Sequence, residues 1–97
     1  MDTAGNAEDF AAVKDILTGK IAICNRGSIA FTDKGNNAIS NGAIALIVAN
    51  NEAGTISMAT DGYNYTAPYV SMLQADGEYI KASSEKHTTD SGLVYYT

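Results

Sequence analysis

Apolar positions fall in short blocks separated by polar turns, and their spacing predicts helices and strands in alternation. Residues 6–18 carry Phe10, Val13 and Leu17 at i, i+3 and i+7, the spacing of one buried helical face. Asn6 can cap that helix, Glu8 and Asp9 sit in the first turn where the helix dipole favours acids, and Gly19 can end it. Lys20 to Cys24 then reads as a short strand. The polar turn Asn25-Arg26-Gly27-Ser28 leads to Phe31, and Thr32 can cap a helix over Asp33 to Asn41, with Gly42 as its left-handed stop. On that helix Gly35, Ala38 and Ile39 share the inner face. Asn36, Asn37, Ser40 and Asn41 form the wet one.

Ala43 to Ala49 is apolar throughout, as a strand is when both its faces are covered. Strand, helix and buried strand make a βαβ unit, for which a right-handed crossover is expected. A long polar loop follows from Asn50 to Tyr65, with Thr55 to Met58 briefly extended. Ala67 to Met72 is the next strand, and Pro68 near its start suits an edge or first position. Leu73 to Ser83 reads as a helix with Ala75, Tyr79 and Ile80 on one side and Gln74, Glu78 and Lys81 outside. Gly92 to Thr97 is a final, aromatic strand. The pattern predicts an α/β fold: a layered β/β/α domain with a mainly parallel core sheet built on the βαβ unit, a smaller second sheet, and two to three helices. No repeat or linker divides residues 1–97, which read as a single domain.

Composition narrows the function. With 97 residues, 45% hydrophobic and 18% charged, the chain can hold one thin core. A net charge of −5 with no Lys/Arg cluster repels phosphate backbones, so nucleic acid is not expected as a partner. The longest apolar run, seven residues, is far below the ~20 needed for membrane insertion. The single Cys forms no intrachain disulfide, and no C-x-x-C or His/Cys cluster offers a zinc site. Without a Walker or dinucleotide glycine pattern, no cofactor is expected. No basic stretch followed by an apolar one opens the chain, so no signal peptide is expected within it.

Catalytic chemistry is sparse. His87 has Ser83, Ser84, Asp90 and Ser91 nearby in sequence, but no G-x-S-x-G elbow presents a serine, and its surroundings read as an exposed turn. Cys24 ends an apolar strand, where a thiol behaves as a small hydrophobe. Asp61-Gly62-Tyr63-Asn64-Tyr65 resembles a fragment of a calcium loop but lacks the third acid and the bidentate Glu, so a plain turn is the better reading. Asn64-Tyr65-Thr66 is a glycosylation sequon, relevant only to a eukaryotic host. No residue is assigned to catalysis. The best contact surface joins Asn50, Asn51 and Glu52 to the loop bearing Met58, Tyr63 and Tyr65, because Tyr offers large area at low rotamer entropy. Alternatively, Tyr63 and Tyr65 fold back over the sheet edge. Arg26, Gly27, Phe31, Gly42 and Ala43 read as fold-specifying: Gly27 permits a positive φ beside a carbonyl-binding Arg26, and Phe31 plugs the helix–sheet interface. Lys34 reads as a solvated or carbonyl-capping side chain.

The stretch from Gly19 to Asn51, beginning G-K-I-A, passing through R-G, a Phe-led helix with Lys34 and Asn37-Ala38, then Gly42-Ala43 and an apolar strand ending in Asn50-Asn51, resembles the protease-associated domain. The likeness continues through Ala67-Pro68-Tyr69-Val70-Ser71, Asp76-Gly77 and Ile80-Lys81, covering about residues 4–83. Phe10 stands where subtilase-type members carry an Asp-Phe. Ile29 stands where many members have a Cys, and Asn41 replaces their usual Ala. The version it most resembles is inserted in secreted, cell-envelope subtilisin-like serine proteases of bacteria. The resemblance implies a non-catalytic module that positions polypeptide substrates or contacts the parent protease's catalytic domain, placed outside the cell or attached to its envelope. A structural spacer, or a small hydrolase using Cys24 or a serine with His87, are the alternatives.

Overall fold

The computed structural model describes residues 3–58, 60–90 and 92–97. In chain order the elements are α1 (Ala7–Ala12), α2 (Lys14–Leu17), β1 (Ile21–Asn25), α3 (Phe31–Ser40), β2 (Ala45–Ala49), β3 (Tyr69–Met72), α4 (Gln74–Ala82), β4 (Lys86–Thr88) and β5 (Val94–Tyr96). The first three strands form one parallel sheet in the order β1-β2-β3. Ile21 lies opposite Ala45 and Asn25 opposite Ala49, while Leu46 lies opposite Tyr69 and Ala49 opposite Met72. β4 and β5 pair antiparallel, with Lys86 opposite Tyr96 and Thr88 opposite Val94. The expected α/β architecture, parallel βαβ unit and second small sheet are all present.

Strand alternation sorts the sheet's side chains. Ala22 and Cys24 of β1 and Leu46 and Val48 of β2 share one face in paired register, and all four are fully buried. Phe10, Leu17, Ala38 and Ala43 close over them. Lys34 of α3 enters the same interior fully buried. Its Nζ donates to the carbonyl oxygens of Ala4 and Asn25, at 3.0 Å for the second, so it caps carbonyls and is not solvated. Burial lowers its pKa below the ordinary lysine value.

Several predicted boundaries shift for physical reasons. The 6–18 helix has its Asn6 cap, Oδ1 accepting from the Asp9 N–H at 2.8 Å, but it breaks into α1 and α2 at β-branched Val13, where φ is −119° and ψ 19°. α3 starts at Phe31 behind Ala30, and the Thr32 hydroxyl, expected as its cap, donates instead to the Asp61 carbonyl. Gly42 is the stop, with φ +100° and Thr18 so near that an added Cβ would lie 2.6 Å from its Oγ1. Gly27 is not among the positive-φ glycines; it makes room for Ala4, whose Cβ would be 3.1 Å from a Cβ added there. Phe31 is half-buried against the core, and Thr55 to Met58 forms no strand.

The largest differences lie on the sheet's other face. Ala43–Ala49 is not sealed on both sides: Ile21 of β1 is 56% exposed, Val70 of β3 is exposed, and Ile47 is half-buried. α4 approaches this face where Gly77 meets Ala49, so closely that a Cβ added to Gly77 would lie 2.7 Å from the Ala49 Cβ. That contact rotates α4 away from the expected orientation. Gln74, Gly77 and Lys81 are half-buried, Ala75 and Ile80 are exposed, and Tyr79 is 73% exposed. His87 lies in β4 and not in a turn, its ring stacked on Tyr95 at 5.0 Å. The final strand shortens to Val94–Tyr96, and no helix among the described residues is long and apolar enough to cross a membrane.

Candidate contact surface

Parallel pairing puts the carboxyl ends of β1 and β2 side by side, and the long loop leaves from there. Asn50 is only 3% exposed and serves as its staple. Its Nδ2 donates to the Gly54 carbonyl at 2.8 Å, and its Oδ1 accepts from the Asn51 N–H at 2.8 Å and Arg26 Nη1 at 3.3 Å. The Arg26 backbone N–H donates to Ala49 O at 2.8 Å, carrying the strand pairing one residue further. Nη1 of Arg26 also reaches Glu52 Oε1 at 3.4 Å, an exposed ion pair of small energetic weight. Arg26 therefore gathers Asn50 and Glu52, and leaves Asn51 and Glu52 facing water.

The far end of the loop rests on α3. Asn36 Nδ2 donates to Gly62 O at 3.1 Å, and its Oδ1 accepts from the Asn64 N–H at 2.9 Å. Thr32 holds the Asp61 carbonyl at 2.7 Å, and the Tyr63 N–H donates to Thr60 O across a turn with Gly62 at φ +93°. Asp61-Gly62 is thus a plain turn. Asn36, expected on the wet face, is a loop anchor, and Asn37 likewise donates from Nδ2 to Gly5 O at 3.1 Å. Thr32 and Asn36 are one helical turn apart on the flank of Gly35. That i, i+4 pair of hydrogen-bonding side chains is the signal that would have found the anchor.

Gly35 lets two tyrosines approach the helix: a Cβ there would lie 2.7 Å from ring carbons of both Tyr63 and Tyr69. The Tyr63 and Tyr69 rings meet edge-on at 5.3 Å and 66°, and the Tyr65 ring lies 6.1 Å from that of Tyr63. The Tyr63 hydroxyl donates to Ala67 O at 2.8 Å and the Tyr69 hydroxyl to Phe31 O at 2.6 Å. Burial pushes both phenols above their ordinary pKa, Tyr69 strongly, so both remain neutral donors. Tyr63 folds back onto the sheet edge. Tyr65 stays 41% exposed. Met58 packs partly buried against the core.

Elsewhere the potentially reactive groups are occupied or shielded. Cys24 is fully buried, and burial raises its thiol to about 11 despite the nearby Lys34 charge, so it is a protonated thiol at neutral pH. His87 Nε2 lies 2.8 Å from Thr97 Oγ1, and the Ser84 hydroxyl donates to Ile80 O. Ser91, another serine near His87 in sequence, lies outside the described residues. Among the described residues no three His, Cys, Asp or Glu side chains converge as a metal would require.

The family model described as PA domain matches residues 1–80. The minor extracellular protease Vpr of Bacillus subtilis (strain 168) is 43% identical over 88 residues, 87% of this chain and 10% of that protein. Aminopeptidase YwaD of the same organism is 32% identical over 83 residues, 84% of this chain and 18% of its own length. Among solved structures, the aminopeptidase from Aneurinibacillus sp. strain AM-1 matches with a TM-score of 0.71 at 32% identity, covering 81% of this chain and 19% of that one. The chain thus spans between 10% and 19% of the length of these relatives.

Proposed function

The chain belongs to the PA domain family, and from that premise we propose that residues 1–97 act as one non-catalytic, polypeptide-contacting domain of a secreted subtilisin-like serine protease. Its partner is the polypeptide substrate or the parent's catalytic domain, and its place is outside the cell or on the envelope. The proteolytic setting draws support from relatives named as a protease and as aminopeptidases, all enzymes of polypeptide chemistry. The extracellular setting draws on the 43% identity to a protease named extracellular. The subtilisin type draws on Phe10, which stands where subtilase-type members carry an Asp-Phe.

One observation carries the contact role. Tyr63 is pinned between Gly35, Tyr69 and the Ala67 carbonyl, and it supports Tyr65, which is left facing water. An aromatic side chain on a braced loop loses little entropy when it binds, whereas a floppy one loses much. Asn51 and Glu52 extend the same loop as polar contacts. The reading is tested in the full-length parent by Tyr65→Ala combined with Glu52→Gln, comparing cleavage of a long polypeptide with that of a short peptide ester. A contact domain loses several-fold on the long substrate alone. A spacer leaves the ratio of the two rates unchanged, and that result refutes the proposal.

A further inference from the structure

The parallel sheet has two outer edges, and the chain finishes them differently. At the carboxyl end of β1 the edge is closed: the Asn25 N–H donates to Thr3 O at 2.8 Å, and the Asn25 carbonyl accepts from Lys34 Nζ at 3.0 Å. β3 forms the other edge and, among the described residues, pairs with β2 alone. The Leu46 N–H donates to Pro68 O at 3.0 Å and the Asn50 N–H to Met72 O at 3.0 Å. Main-chain groups alternate in direction along a strand, so those of Val70 turn inward with Pro68 and Met72. The N–H and C=O groups of Tyr69 and Ser71 turn outward, away from the sheet.

Nothing along the strand blunts that edge. Native edges are commonly guarded by a lysine, a proline or a covering element. Tyr69-Val70-Ser71-Met72 holds no charge and no proline. Val70, on the open face, is 52% exposed, and Ser71, which lies opposite Val48 on the core face, is exposed as well. Neither layer of the fold therefore reaches past the strand. The edge also adjoins the loop contact, because the Tyr69 ring meets Tyr63, and Tyr63 in turn braces the exposed Tyr65.

Outward donors and acceptors that recur every second residue are matched by an extended polypeptide, whose own main-chain groups recur at the same spacing. A second copy of the chain is a poorer occupant, since each copy carries −5 and pairing would bring like charges together. We infer that the outer edge of β3 takes an extended polypeptide as an added strand, held by the main-chain groups of Tyr69 and Ser71, with uncharged side chains beside Val70. The inference deepens the contact role proposed above and rests on it for the class of ligand. It adds that recognition runs through main chain, so that many sequences are accepted.

The test is fluorescence anisotropy of the 97-residue chain with a labelled peptide of alternating Val and Thr carrying one Lys at each end. Two analogues accompany it, one N-methylated at every second residue and one at every residue. The first keeps one hydrogen-bonding edge and should bind within about threefold of the unmethylated peptide; the second keeps none and should be weaker by about tenfold or more. Amide exchange at Tyr69 and Ser71 should slow when the unmethylated peptide is bound. Ser71→Pro removes an outward N–H, a substitution edge strands tolerate, and should abolish binding. If it unfolds the chain, Val70→Lys at the exposed position serves, with an expected loss of several-fold. Absence of saturable binding to the unmethylated peptide, equal affinity for both analogues, or slowed exchange at Ile21 and Ile23 in place of Tyr69 and Ser71 would overturn the inference. So would a dimer in sedimentation that the peptide does not dissociate. In each of these cases the cleavage ratio of the Tyr65→Ala, Glu52→Gln parent still decides the loop proposal by itself.

Discussion

The two faces of the parallel sheet come from the same three strands yet have opposite fates. On one, Ala22, Cys24, Leu46 and Val48 are excluded from water by α1, α2 and α3, and even an ammonium group is enclosed. On the other, Ile21 and Val70 are exposed and α4 touches the sheet chiefly through a glycine. The contrast teaches that hydrophobicity alone does not decide which side of a strand is core. What decides it is whether a neighbouring element approaches closely enough to exclude water.

The contrast can be broken most directly by truncating one side chain on each face. Leu46→Ala should cost about 2–5 kcal/mol in urea unfolding, because it leaves a void in packed surroundings. Ile21→Ala should cost under about 1 kcal/mol, since most of that side chain already meets solvent. Equal losses would abolish the distinction.

Alkaline titration probes the enclosed face next. Cys24 has a folded pKa of about 11 against an ordinary 9.0, so the unfolded chain loses the proton first and stability falls as pH rises from 9 to 11. Tyr63 and Tyr69, both raised, add the same sign above pH 10, whereas the lowered Lys34 opposes it. Cys24→Ala should flatten the fall between pH 9 and 11 by up to about 2–3 kcal/mol, read from urea midpoints across that range.

Smaller effects belong to the open face. Gly77→Ala should force α4 off Ala49 at a cost of about 1–2 kcal/mol and speed amide exchange in residues 74–82, with little change in α3. Tyr79→Ala should stay within about 0.5 kcal/mol of the unaltered chain in the same urea assay.

What was legible in the chain follows the same division. β1, α3 and β2 lie within two residues of their expected bounds, because an uninterrupted apolar run and a Gly stop are local signals. α4 was placed correctly but turned the wrong way. Its periodicity favoured Ala75, Tyr79 and Ile80, while the contact that orients it is made by Gly77, which has no side chain to register as apolar. β4 was missed because three residues containing Lys and His become a strand only when β5 pairs with them. In the loop, Tyr63 and Tyr65 looked alike; only the space above Gly35 separates the braced ring from the presented one. Lys34 read as a solvated or carbonyl-capping side chain, and the chain left the choice open because the carbonyls that hold it come from Ala4 and Asn25, thirty and nine positions away.

The enclosure of Lys34 makes it a reporter. Acylating reagents reach an amine only when it is bare, so Lys14, Lys20 and Lys86, all open to solvent, should react at once. Lys34 should react only as often as the N-terminal stretch and α3 part company. Its labelling rate, followed by mass spectrometry, would time the rarest opening of the molecule without any denaturant.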